Sequence, residues 1–144
     1  MFWDSSALVP VLIAEPRSEE TVAILRSDRA PALWWTSPLE CQSALQRSRR
    51  EGILSPAELA EALGRLGRLA EDFDVVAPTT GLREQAGRAL ARHPLRSADA
   101  LQIAAALVWA DHAPAGEHFV CLDDRLRMAA RDEGFELLPE ASNG

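Results

Sequence analysis

MFWDSSALVPVLIAE (residues 1–15) places a carboxylate between an apolar strand and an apolar helix. Met1–Trp3 reads as a short strand. Ser5–Glu15 reads as a helix that Pro10 kinks or limits near its start, because proline lacks the N–H and crowds the preceding turn. The same succession recurs downstream. ALWWTS (32–37) is a second strand, followed by a helix over Pro38–Arg50 that Gly52 ends; FDVVAP (73–78) is a third, EHFVCL (117–122) a fourth and FELLP (135–139) a fifth. Further helices are predicted over Ser18–Ser27, Leu82–Arg92, Ala98–Asp111 and Asp124–Glu133. Ser55-Pro56-Ala57-Glu58 opens another with a capping box and a proline at its first position, and Leu59, Leu63, Leu66 and Ala70 mark its buried stripe. Strands alternating with helices require crossover connections. The fold class is therefore α/β, with a mostly parallel sheet of about five strands covered on both faces.

The bulk properties agree with one globular domain. A chain of 144 residues, 47% hydrophobic and 26% charged, can bury about two-thirds of its unfolded surface without covalent staples. The domain is placed at 1–139, with 140–144 as a C-terminal tail. Two cysteines, Cys41 and Cys121, form neither a disulfide framework nor a zinc-ligand spacing, which implies a reducing compartment. The apolar stretch Ala7–Ala14 follows Asp4 instead of a basic region, and no apolar run reaches the ~18 residues of a membrane span. The expectation is a soluble cytoplasmic protein. A net charge of −7 opposes non-specific nucleic-acid binding unless local arginines or a bound cation reverse it. All 15 basic residues are Arg, a bias of codon usage or of phosphate recognition.

The element order sends certain acids to one edge. Asp4 follows the first strand, Glu40 lies in the first turn after the second, and Asp123 follows the fourth, while Asp99 begins a helix that no clear strand precedes. In open parallel sheets the functional crevice lies at the carboxyl ends of the strands. Taken singly, each acid is explained by helix capping and the macrodipole, and Ser37-Pro38-Leu39-Glu40 even repeats the pattern of Ser55-Pro56-Ala57-Glu58. Context separates them. Asp4, Asp99 and Asp123 adjoin apolar segments and are expected near the interior, where gathered carboxylates repel and take up protons unless a cation sits among them. Oxygen-only ligation points to a hard ion, Mg2+ or Mn2+. Such an ion activates water and stabilises a departing oxygen, which is nuclease, phosphatase or phosphotransfer chemistry.

MFWDSSALV, TSPLECQSAL, LRSADALQIAAAL and FVCLDDRLRMAARDEGFELLP, in that order and spacing from Met1 to Pro139, resemble the motifs of PIN-domain ribonucleases, in particular the VapC-type toxins of bacterial toxin–antitoxin pairs. The resemblance implies a PIN-like three-layer α/β/α sandwich and a metal-dependent endoribonuclease. Its acidic cluster would be Asp4, Glu40, Asp99 and Asp123: Asp4 and Asp99 on Mg2+ or Mn2+, Glu40 and Asp123 on it directly or through water, with Ser6 supporting Asp4. It further implies an RNA substrate, a cognate antitoxin and a homodimer. Cys121 departs from the usual Ser or Thr, which implies weaker or backbone hydrogen bonding beside Asp123. Asp123 is preferred over Asp124, which is left to cap the helix.

Other features carry less. Arg47, Arg49 and Arg50 complement the dipole of a helix end, with RNA contact the lesser alternative. Arg83, Arg88, Arg92 and Arg96 either lead phosphate toward Asp99 or are solvated surface. His93, His112 and His118 lack ligand spacing. Trp34 and Trp35 point to opposite faces of a strand, so at least one belongs to the core, as does Trp109. The helices between Pro38 and Asp72 pack the core or form a dimer or antitoxin surface. A receiver domain, which needs a positioned Lys, is excluded because there is none. A catalytically silent PIN-like module that binds RNA or protein is the remaining rival, and metal dependence separates the two.

Overall fold

The computed structural model describes residues 1–141. Its strands are β1 (Phe2–Trp3), β2 (Ala32–Trp34), β3 (Asp74–Val76), β4 (His118–Val120) and β5 (Glu136–Leu138). Its helices are α1 (Ser5–Leu12), α2 (Ser18–Ser27), α3 (Ser37–Arg50), α4 (Pro56–Glu71), α5 (Thr80–Arg92), α6 (Ser97–Trp109) and α7 (Asp124–Glu133). The strands form one sheet in the order β3-β2-β1-β4-β5, and every pairing is parallel. The expected "mostly parallel" sheet is thus wholly parallel among the described residues. The predicted tail reaches its last three residues, 142–144, outside them.

The sheet separates two apolar layers by strict alternation. Phe2, Ala32, Trp34, Phe119 and Cys121 face α5, α6 and α7. Trp3, Leu33 and Val120 face α1, α3 and α4, with α2 packed at the margin through Ile24 and Leu25. Because successive strand side chains point to opposite faces, strands of two or three residues suffice to anchor both layers. Phe2 stacks on Phe119 at 5.5 Å and meets half-buried Trp109 at 6.1 Å. Trp34 is core and Trp35 is 59% exposed.

The chain enters at the central strand, moves outward through β2 to β3, then crosses back to β4 beside β1. That reversal places the crevice of the sheet at the carboxyl end of β1. The return crossover carries the α5–α6 pair, so α6 has no strand before it, as the apolar pattern around Asp99 suggests.

Some boundaries differ from expectation for local reasons. α3 starts at Ser37, and α5 starts at Thr80 because Thr79 caps it by accepting from the Leu82 N–H. α6 runs Ser97–Trp109 and stops before Asp111, where positive φ at Asp111 and His112 turns the chain. In α4 the deepest residues are Ala62 and Leu66, while Leu59, Leu63 and Ala70 are half-buried. α3 and α4 flank an open apolar groove of about 540 Å³ that includes Trp35, Leu39 and Leu63.

Candidate active site

Asp4 leaves the central strand with its N–H bonded to the Val120 carbonyl at 2.9 Å and caps α1 in extended backbone. Its Oδ2 accepts from the Ser6 N–H at 3.0 Å and from the Ser6 hydroxyl. Ser6 Oγ accepts in turn from the Leu122 N–H at 2.9 Å, so one hydroxyl joins the exits of β1 and β4. Asp4 is only 4% exposed. Burial is the main cause that pushes its carboxyl up to about 6 from the ordinary 3.8, with Glu40 adding repulsion and the Ser6 bonds opposing.

Glu40 projects from the first turn of α3 into a ring of neutral donors. Its Oε2 accepts from Ser5 Oγ at 2.9 Å and from Gln102 Nε2 at 3.1 Å, and its Oε1 accepts from Thr36 Oγ1 at 3.0 Å. It does not cap α3, whose N-terminus has no side-chain capping bond. Ser37, at the position equivalent to the capping Ser55, is fully buried and accepts from Gln102 Nε2 at 3.0 Å.

Asp99 and Asp123 lie at the ends of α6 and α7. Asp99 Oδ2 accepts from the Arg96 N–H at 3.3 Å, and Asp123 Oδ1 accepts from the Leu126 N–H at 2.8 Å as the N-cap of α7. All four acids line one open cleft of about 340 Å³. The three aspartates share a device. Each commits one oxygen to the start of its helix, and its other oxygen takes no hydrogen bond among the described residues. Capping a helix and presenting an oxygen to the cleft therefore do not compete for the same atom.

The cleft is electrostatically unbalanced. No ion pair among the described residues involves Asp4, Glu40, Asp99 or Asp123, and Arg47 of α3 is the basic side chain in the lining. The donors are all hard oxygens, and a buried carboxylate facing a second one without a counter-charge fits a divalent cation. Among the described residues no three acidic, His or Cys side chains already stand close enough to enclose one. The donor set fits by its chemistry; the side chains are held by hydrogen bonds.

Several expectations change here. Of the three aspartates expected near the interior only Asp4 is buried; Asp99 is half-buried and Asp123 exposed, because the free ends of α6 and α7 face the open cleft. Asp123, and not Asp124, caps α7; Asp124 turns toward a different hollow beside Arg17 and Arg127. Cys121 neighbours Asp4, its Sγ lying 3.6 Å from Oδ2 and 3.5 Å from Ser6 Oγ, and it reaches Asp123 only at the backbone carbonyl, at 3.6 Å. Burial raises both thiols, Cys41 to about 12 and Cys121 higher, so neither is a thiolate at neutral pH. The basic series is broken up: Arg88 bonds Gln85 and Arg92 bonds Glu133. His93 pairs with Glu133 at 2.7 Å and His118 with Glu136 at 3.2 Å, and neither lines the cleft.

Ser5, Thr36 and Gln102 escape the sequence reading. Ser5 and Thr36 look like ordinary helix-start residues. Gln102 is the one visible signal, the last polar side chain before the apolar run Ile103–Ala110, with 1% exposure in the fold.

The PIN domain family matches residues 1–132. No curated protein is matched by the sequence. Solved structures that share the fold include the following three. PAE2754 from Pyrobaculum aerophilum superposes with a TM-score of 0.65 at 18% identity, over 94% of this chain and 87% of its own. VapC20 from Mycobacterium tuberculosis, described as a sarcin-ricin loop cleaving toxin, gives 0.66 at 18% identity, over 89% and 93%. FitAcB from Neisseria gonorrhoeae gives 0.64 at 14% identity, over 94% of both chains.

Proposed function

The chain belongs to the PIN domain family, and from that membership we propose that it is a metal-dependent endoribonuclease, the toxin of a toxin–antitoxin pair of the VapC type. The observation that carries this reading is the meeting of Asp4, Glu40, Asp99 and Asp123 in one cleft, with an oxygen on each aspartate that takes no hydrogen bond among the described residues. Asp4 and Asp99 hold Mg2+ or Mn2+, with Glu40 and Asp123 contributing directly or through water. The cation supplies charge compensation and a Lewis acid for the phosphodiester. Glu40 orients water, Ser6 fixes which oxygen of Asp4 faces the cleft, and Arg47 is placed to meet phosphate. VapC20, a cleaving toxin of the same fold, supports the class of reaction.

The working protein on this reading is a single domain over 1–139 acting in the cytoplasm, with RNA as substrate and an antitoxin and a second copy as partners. No helix among the described residues is long and apolar enough to cross a membrane.

The test maps new RNA 5′ ends after brief induction of the wild type and of Asp99→Asn at matched soluble expression, with purified protein assayed beside it with and without Mg2+ or Mn2+. Discrete cuts confined to the wild type and to divalent ion are expected. Asn can still accept from the Arg96 N–H, so Asp99→Asn folds. Identical maps from both proteins would leave the catalytically silent binding module as the better account.

A further inference from the structure

Among the described residues Gln102 is the most deeply buried amide, on an otherwise apolar helix face, and its position has a specific target. Its Nε2 reaches 62 residues back in the chain to Glu40 Oε2 at 3.1 Å and is braced by Ser37 Oγ at 3.0 Å, while its Oε1 is buried with no partner among the described residues. The amide orientation is settled by charge: turned over, Oε1 would face the Glu40 carboxylate. An apolar side chain of equal length would fill the same space without stranding an acceptor, so packing alone does not account for a glutamine here.

A carboxylate offers about four acceptor sites. Ser5, Gln102 and Thr36 take three of those on Glu40, two on Oε2 and one on Oε1. The remaining site is on Oε1. We propose that Gln102 is a positioning residue that acts through Glu40, locking Oε2 into the protein so that Oε1 alone is presented to the cleft. This rests on the nuclease reading above and deepens it. Glu40 would then take part through a single oxygen, in contrast to a carboxylate free to rotate. The residue works on the reaction from inside the core, between α6 and α3, and touches no substrate.

Two variants test it. Gln102→Met keeps the unbranched length and removes the donor; Gln102→Glu keeps the length and sets an acid against Glu40. Loss of an outer hydrogen-bond partner of this kind lowers activity by about 10–100-fold. The expected result is that loss in kcat of RNA cleavage for both variants, with KM within about twofold of wild type and native circular dichroism. In a Glu40→Gln background the further loss from Gln102→Met shrinks below about twofold, because the two residues act as one unit. The metal-free protein provides an independent signal: the side-chain amide resonances of Gln102 are protected from exchange and shift on Glu40→Gln.

Wild-type kcat in Gln102→Met, or an equal loss with and without the Glu40 carboxylate, overturns the proposal and leaves a packing residue. If the wild type cleaves no RNA, the nuclease reading falls by itself, and the amide signals alone then decide whether Gln102 orients Glu40: unprotected signals that ignore Glu40→Gln would remove that as well.

Discussion

Ser37-Pro38-Leu39-Glu40 and Ser55-Pro56-Ala57-Glu58 are nearly the same tetrapeptide at the start of two helices, and the fold uses them in opposite ways. At α4 the capping box closes: Ser55 accepts from the Glu58 N–H at 3.1 Å and Glu58 accepts from the Ser55 N–H at 2.7 Å. At α3 neither bond forms; Ser37 is buried against Gln102, and Glu40 faces Asp4 across the cleft. The difference lies outside the tetrapeptides. α4 begins in solvent, where local bonds are the best available, whereas α3 begins at the carboxyl end of β2, where Ser5 and Gln102 offer donors from other elements. A cap signature therefore reports what a turn can do alone, and the surroundings decide whether it does.

The strongest way to break this contrast is to neutralise each glutamate. Glu40→Gln is expected to lower RNA cleavage by about 100-fold or more, within the range for groups that position a proton or water, while Glu58→Gln cleaves like the wild type in the same assay. Equal activities would make the two turns functionally alike.

The next effect is on stability and has a definite sign. Asp4, crowded in by burial and by Glu40, titrates near 6 in the fold against 3.8 in an open chain. The native state thus keeps a proton that the unfolded chain has lost. The stability tied to this group is complete below about pH 3.8 and gone above about 6. In metal-free protein Asp4→Asn is expected to be more stable than wild type by about 3 kcal/mol at pH 8, with the gap closing toward pH 4, as read by urea unfolding across that range. Glu58 behaves with the opposite sign: the Ser55 backbone N–H lowers its carboxyl, so its contribution is present at neutral pH and lost on acidification.

A divalent cation should close the Asp4 gap by supplying the missing charge. At about 100-fold excess over its dissociation constant, Mn2+ is expected to stabilise the wild type by about 2.7 kcal/mol. Asp4→Asn is expected to show little of that gain in thermal unfolding with and without chelator. The smallest effect returns to the tetrapeptides. Ser55→Ala removes a cap and is expected to cost about 1 kcal/mol in denaturant unfolding with cleavage unchanged.

Much of the layout is legible in the sequence because it is local. The alternation in MFW, ALW and HFV marks two-faced strands, and Asp4 and Ser55 mark helix starts through bonds that span two or three residues. The acids sort to one edge because crossover connections leave no other route. What stays hidden is long-range. Two of Glu40's three donors sit 35 and 62 residues away, and the near one, Thr36, looks like an ordinary helix-start residue, so nothing near position 40 distinguishes it from Glu58. Adjacency to apolar segments likewise overestimates the burial of Asp99 and Asp123, since a helix can bury its body and leave its first turn in the open cleft.

The division of labour within each aspartate also has an evolutionary corollary. On the ligand role proposed above, an Asp that drifts to Ala would lose a helix cap along with a ligand, whereas one that drifts to Asn would give up only the ligand, because its carbonyl can still cap. Lineages in which the chemistry has decayed should therefore pass through amides at positions 4, 99 and 123, leaving silent copies that still fold and still occupy the surfaces their active ancestors occupied.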